Sequence, residues 1–241
     1  MKHVIVGHVA LDRIVTEEGT SHRLGGPPSY GCAISGALDH EIGVITRIGP
    51  DFPVKFVEKY QEWGINLEKW RCESLSTSFT LDYTRKPRWL GLENVCEAII
   101  LPEKHYDSVI FSPIAGELTS EQVCNVYAGY VALDPQGFIR ERYGKGAVRL
   151  VPWEELCEVN LLKTSLEEHR YLTGESDPLR SLRYFSEKGV EASIITMGDE
   201  GALVCHNGDV FEVPVYPTMS VDSTGAGDSF LVAAHDKLAS G

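Results

Sequence analysis

The chain has 241 residues, 43% of them hydrophobic, and a formal net charge of −13 from 22 basic and 35 acidic side chains. That length and apolar content suit one sizeable core with, at most, a small appendage. The acidic balance excludes nucleic acid and anionic membrane as main partners, since both are held by basic patches, and no apolar run approaches the ~18 residues of a membrane span.

In chain order, the apolar run at 4–9 predicts a buried first strand. It lacks the long apolar centre and small-residue cleavage site of a signal peptide. Small and apolar residues at 29–38 predict a closely packed helix, 42–48 a strand, and 52–63 a helix whose first turn tolerates Pro53. Strands are expected at 107–111 and 130–133, with a helix at 120–127 between them. Residues 159–163 read as a strand, 166–172 as a helix stopped by Gly174, 177–188 as a helix between Pro178 and Gly189, and 192–196 as a strand. Residues 204–211 read as a hairpin on an Asn207-Gly208 turn. Such alternation predicts a mostly parallel sheet covered by helices on both faces. Two stretches, about 12–24 and 74–100, carry no helical period, and 78–84 alternates like a half-exposed strand. Together they are expected to form a small sheet outside the core, placed as a lid.

Cys32, Cys72, Cys96, Cys124, Cys157 and Cys205 include no C-x-x-C pair, so a zinc site is not expected. Dispersed free thiols suit a reducing cytoplasm, with disulfides expected only in an extreme thermophile. The eight histidines show no metal-ligand spacing, and H-E-x-x-H, G-x-S-x-G and the Walker A pattern do not occur.

Four segments bear on chemistry. Gly225-Ala226-Gly227 precedes an apolar helical run at 230–234, with Asp228 in its first turn. Bare N–H groups there attract an anion, and the carboxylate can take a proton from a hydroxyl; the plainer alternative is a favourable charge at a helix start. Residues 163–174 follow a strand, and Thr164 and Glu167 have capping-box spacing, whereas Glu168 would face a metal-bound water at the sheet edge. Thr196, Gly198 and Gly201 form either an ordinary turn or a place where a nucleotide approaches the backbone. Gly25-Gly26 opens a Pro-stiffened helix, with Asp12 upstream, beyond the first strand. Carboxylates at the C-terminal ends of parallel strands face the usual ligand crevice. Arg140 could meet phosphate beyond Asp134-Pro135-Gln136-Gly137, although a surface arginine is the simpler reading.

These four segments stand in the order found in the ribokinase-like (PfkB) carbohydrate kinases, which the chain resembles from residue 4 to residue 230. The resemblance implies a three-layer α/β/α core with a mostly parallel sheet and a small β lid, a single kinase domain over 1–241. It also implies that the C-terminal part of the usual family domain is absent beyond Gly241. Asp228 would be the base, and Gly225, Ala226 and Gly227 the anion hole for the moving phosphoryl group. Ser165, Glu168, Thr196, Gly198 and Gly201 would bind ATP, or ADP as donor, with Glu168 organising Mg²⁺ through water. Asp12, Gly25, Gly26 and Tyr30 would hold a sugar, polyol or nucleoside acceptor. Asp222 and Thr224 match positions that bind a monovalent cation, K⁺, in some relatives. The activity implied is a cytoplasmic sugar or cyclic polyol kinase, with a homodimer formed through the lid. Tyr30 and Ser165 stand where relatives usually carry asparagine. Tyr30 favours a nucleoside acceptor as an alternative, and Ser165 with the short C-terminus favours a non-catalytic ligand-binding or regulatory relative.

Overall fold

The computed structural model describes every residue except 87, 88, 145, 220, 221 and 241. The chain runs β1 (Lys2–Val6), β2 (Ala10–Thr16), β3 (Gly19–Gly25), α1 (Pro27–Ala33), β4 (Glu41–Ile45), α2 (Val54–Glu62), β5 (Ser78–Asp82) and β6 (Trp89–Asn94). It continues β7 (Ser108–Phe111), α3 (Ser120–Cys124), β8 (Val131–Leu133), β9 (Arg140–Tyr143), β10 (Ala147–Leu150) and β11 (Leu161–Ser165). It closes with α4 (His169–Thr173), α5 (Pro178–Glu187), β12 (Ala192–Thr196), β13 (Ala202–His206), β14 (Asp209–Val213) and α6 (Ala226–Leu238).

Side chains on a strand alternate between the two faces of its sheet, and here that alternation sorts the core. Ile5 and Val6 are adjacent on β1 yet enter different apolar clusters, and Ile110 and Phe111, Leu161 and Leu162, and Ile194 and Ile195 divide likewise. One cluster takes Cys32 from α1, Val57 and Tyr60 from α2, and Leu231 and Val232 from α6. The other takes Val123 from α3, Leu172 from α4, and Leu182 and Phe185 from α5. The result is the expected three-layer α/β/α sandwich. Its sheet runs β14-β13-β12-β11-β8-β7-β1-β4, with β13 and β14 antiparallel at one edge and the remaining pairs parallel.

The second sheet is larger than the expected lid. It has six strands in the order β3-β2-β5-β6-β10-β9. The segment 12–24 supplies β2 and β3, and 74–100 supplies β5 and β6; residues 87 and 88 of that segment lie outside the described residues. The hairpin β9–β10 was not expected, because Arg140-Glu141-Arg142-Tyr143 reads as a charged loop and its last three residues are exposed. Ala10, Ile14, Phe79, Leu81 and Leu92 form the sheet's own apolar cluster.

Other boundaries move for local reasons. The helix expected over 29–38 ends at Ala33, followed by a short 3-10 turn at Ser35–Ala37. The strand expected at 159–163 runs two residues further, and the next helix starts only at His169. Among the described residues, Cys124 and Cys157 form a disulfide, correcting the expectation of free thiols throughout; Cys32, Cys72, Cys96 and Cys205 are free. Among those residues no helix is long and apolar enough to cross a membrane.

Candidate active site

A cleft of about 250 Å³ opens where the second sheet meets the start of α6. Its polar wall is Asp12, Gln136, Arg140 and Asp228, and Phe79, Leu81 and Leu90 of the second sheet give it an apolar roof. Gly26, Tyr30, Thr224 and Gly225 complete the rim.

Asp12 projects from β2 and is only 6% exposed. Gly25 of β3 pairs with Ala10 of β2, and a side chain at Gly25 would overlap the Asp12 carboxylate. Burial, followed by the nearby charge of Asp228, pushes the Asp12 pKa up to about 7. Asp228 sits in the first turn of α6 and is half-buried. Gln136 Nε2 donates to its Oδ1 at 3.1 Å. Burial and the charge of Asp134 raise the Asp228 pKa to about 6, against the opposing pull of Lys163 and Arg140.

Gly225 caps α6 with φ at 77°, a conformation that favours glycine, and its α-carbon faces the Tyr30 ring so closely that a side chain there would clash. No side chain caps α6. The Ala226 amide donates to Ser223 O at 3.2 Å, so of the three expected anion-hole residues Ala226 is already engaged. Beneath this turn, Lys163 of β11 donates from Nζ to Asp134 Oδ2 at 2.8 Å. A Cβ on Gly227 would lie 2.7 Å from that same Nζ, which places the ammonium against the start of α6. Burial opposes the charge on Lys163, but Asp134, Asp228 and Glu168 outweigh it and hold its pKa above the ordinary range.

Ser165 and Thr196 are paired neighbours at the C-terminal ends of β11 and β12. The capping interaction expected between Thr164 and Glu167 falls one residue later. Ser165 donates from its amide and hydroxyl to Glu168 Oε2, at 3.2 and 2.8 Å, and the Glu168 amide donates back to Ser165 Oγ. Thr196 Oγ1 donates to Thr164 O, and the Met197 amide closes the following turn onto Gly201 O, with Gly198 and Gly201 at φ 63° and 93°. None of Ser165, Glu168, Thr196, Gly198 and Gly201 lines the Asp12–Asp228 cleft. Arg140 joins the two groups: it lines the cleft, and its Nη2 lies 3.8 Å from Glu168 Oε1.

Asp222 has a cation of its own in the structure. Arg23 Nη1 lies 2.7 Å from its Oδ2, and the Thr224 amide donates to its Oδ1. Thr224 Oγ1 meets the Tyr83 hydroxyl at 3.1 Å.

Residues 153–241 match the family model for the pfkB family carbohydrate kinases. The chain is 26% identical to a cytidine kinase of Thermococcus kodakarensis over 94% of its own length and 84% of that protein's. The chain is thus similar to the PfkB carbohydrate kinases. It is also 30% identical to an inositol 3-kinase of Arabidopsis thaliana, covering 95% of the chain but 65% of the plant protein. Among solved structures, a pyrophosphate-dependent kinase of the ribokinase family, complexed with a pyrophosphate analogue and myo-inositol, superposes with a TM-score of 0.80 at 23% identity, over 98% of this chain and 86% of that one. A ribokinase of Thermotoga maritima gives 0.74 at 20% identity, over 99% and 86%. The fold is thus ribokinase-like.

Around this cleft, Gln136, Lys163 and Asp134 were missed as candidates, and Arg140 was read as a surface residue. The segment Asp134-Pro135-Gln136-Gly137 carried a usable signal, a carboxylate and an amide at the end of a buried strand. The raised carboxylates also have a stability signature. The ordinary Asp value is about 3.9 in an unfolded chain, and burial with the nearby Asp228 charge raises it to about 7 in the folded one. Between those values the folded form holds the extra proton, so this contribution is present at low pH and lost as pH rises through about 7. Urea melts should therefore show Asp12→Asn gaining on wild type between pH 5 and pH 8 by on the order of 2 kcal/mol; a pH-independent difference would contradict the assignment.

Proposed function

We propose that this chain transfers the terminal phosphoryl group of a nucleotide, ATP or ADP, to a hydroxyl of a sugar or cyclic polyol. One observation carries the proposal: the Asp228 carboxylate stands in the first turn of α6, in a cleft shared with Asp12, with a pKa raised to about 6. A base with that pKa is ionised at neutral pH and still basic enough to accept a proton in a transition state.

Asp12 holds the acceptor by its hydroxyls, and Gly25 and Gly26 shape that side of the cleft. Asp228 takes the proton of the attacking hydroxyl as its oxygen bonds to phosphorus. The bond to the donor's bridging oxygen breaks, and the leaving nucleotide carries away the electron pair. The amides of Gly225 and Gly227 at the start of α6, with Lys163 beneath, stabilise the charge on the phosphoryl oxygens. Arg140 reaches the donor phosphates from the cleft's other end. Ser165, Thr196, Gly198 and Gly201 lie on the nucleotide side.

Glu168, a half-buried carboxylate whose Oε2 accepts from Ser165 and whose Oε1 stands 3.8 Å from Arg140 Nη2, would hold Mg²⁺ through water and not by direct ligation. Bound there through water, Mg²⁺ would neutralise charge on the donor phosphates. A monovalent cation does not fit at Asp222, where the Arg23 guanidinium already stands.

Tyr30 favours a second reading, a nucleoside acceptor, because its half-buried ring lines the cleft and an aromatic face can stack on a base. A thermal-shift screen of free sugars, inositols and nucleosides, each with ATP, ADP or pyrophosphate, separates the readings, since the true acceptor raises the melting midpoint by mass action. A shift and turnover with a sugar or inositol supports the first reading, and with a nucleoside alone the second. Donor binding without turnover on any acceptor would overturn both and support a regulatory relative. We place the reaction in the cytoplasm; the Cys124–Cys157 disulfide is compatible with that compartment in an extreme thermophile. The exposed edge strand β3 offers the surface for a lid-to-lid dimer.

A further inference from the structure

At the end of the main sheet away from the cleft, His3 of β1, His40 just ahead of β4 and Asp236 of α6 converge from segments 233 and 196 residues apart. His3 Nε2 lies 3.2 Å, and His40 Nδ1 3.0 Å, from the same oxygen, Asp236 Oδ1. One ligating atom from each of the three residues falls within 4.8 Å of the others. His3 and Asp236 are fully buried, while the His40 side chain keeps 21% of its surface exposed. Bonds of 2.0–2.1 Å to a tetrahedral zinc ion put ligand atoms about 3.3 Å apart. Two of the separations are already of that size.

The surroundings are those of a ligand set. His3 Nδ1 lies 2.7 Å from Ser108 Oγ, which also bonds His235 Nε2. His235 Nδ1 is buried with no hydrogen-bond partner among the described residues. The tautomer that satisfies every contact has His235 Nε2–H donating to Ser108 Oγ, the Ser108 hydroxyl donating to His3 Nδ1, and His3 Nε2–H donating to Asp236 Oδ1. Both imidazoles thus turn a ring nitrogen to one carboxylate oxygen, and a divalent cation replacing the protons on those nitrogens would be held by all three groups. The Asp39 amide fixes the other carboxylate oxygen at 3.1 Å. Such outer partners orient metal-bound imidazoles and carboxylates.

We propose that His3, His40 and Asp236 form a structural site for a divalent transition metal of the zinc type, with water entering beside His40 as a further ligand. The ion would tie the first strand, the segment before β4 and the last helix together. Asp228 begins that helix about 12 Å away along its axis, so the site braces the element that carries the proposed base without touching the reaction. Linear spacing gave no hint of it, because the ligands meet only once the sheet has formed.

The test uses the full chain, stripped with chelator, titrated with Co²⁺ and Zn²⁺ by calorimetry and absorption, and melted with and without metal. The expected result is one ion per chain, weak d–d bands from nitrogen and oxygen ligands, and a melting midpoint several degrees higher. His40→Gln keeps an amide donor for Asp236 but removes the imidazole. It should melt like wild type without metal, bind Co²⁺ about tenfold or more weakly, and lose the metal-dependent shift. His206→Ala, at an exposed histidine of β13, should change none of these. No uptake in large metal excess, a thiolate charge-transfer band, or binding unaltered in His40→Gln would overturn the proposal. Should His40→Gln fail to fold, the wild-type stoichiometry and Co²⁺ spectrum decide the question alone.

Discussion

Replacing Asp228 with asparagine should lower kcat by about 10²–10⁴ while leaving acceptor binding within a few-fold, the usual loss when a positioned general base is removed. Asparagine preserves the shape, and its side-chain oxygen can still accept from Gln136 Nε2, now 3.1 Å from Asp228 Oδ1. The fold should therefore survive, and the melting midpoint should not fall, because the variant removes a carboxylate whose charge burial disfavours. Steady-state kinetics with the acceptor identified by thermal shift measures the effect. Turnover within about tenfold of wild type would mean that another group takes the proton.

Replacing Lys163 with methionine should produce the largest loss of stability. The Lys163–Asp134 pair is enclosed, with side-chain exposures of 8% and 1%. Removing one partner of a buried pair leaves an uncompensated charge and costs about 3–5 kcal/mol. For a domain of this size that corresponds to a fall in melting temperature of roughly 6–20 °C. The double variant Lys163→Met/Asp134→Asn should recover much of the loss, because no lone charge then stays buried. A double-mutant cycle with coupling below about 0.5 kcal/mol would show that the pair does not act as a unit. Lys163→Met should also move the Asp228 titration upward, since the ammonium is one of the two cations that hold it down.

The legible parts of the chain were those governed by short-range rules. Gly225 and Asp228 could be placed because a left-handed turn, an uncapped helix start and an acidic first turn lie within a few residues. The strand at Ala192–Thr196 and the Asn207-Gly208 hairpin turn were equally local. Lys163 was not, since its partner Asp134 lies just beyond the end of β8, and the β11–β8 pairing brings them together. The Glu168 cap was misplaced by one residue because β11 continues to Ser165, shifting the start of the turn. Arg140 looked like a surface charge because its three following residues are exposed, although it opens a strand that borders the cleft. The Cys124–Cys157 bond and the His3–His40–Asp236 cluster likewise depend on tertiary contacts between segments that share no local pattern.

In the proposed reaction an ionised Asp228 accepts the proton of the acceptor hydroxyl. The most direct measurement is kcat/KM against pH from 4.5 to 8.5, with wild type and Asp228→Asn side by side. The wild-type limb should rise with unit slope and level off near pH 6, the pKa to which burial raises the Asp228 carboxyl. That limb should be absent from the variant's residual activity. A wild-type profile flat through that region, or the same limb in both proteins, would contradict it.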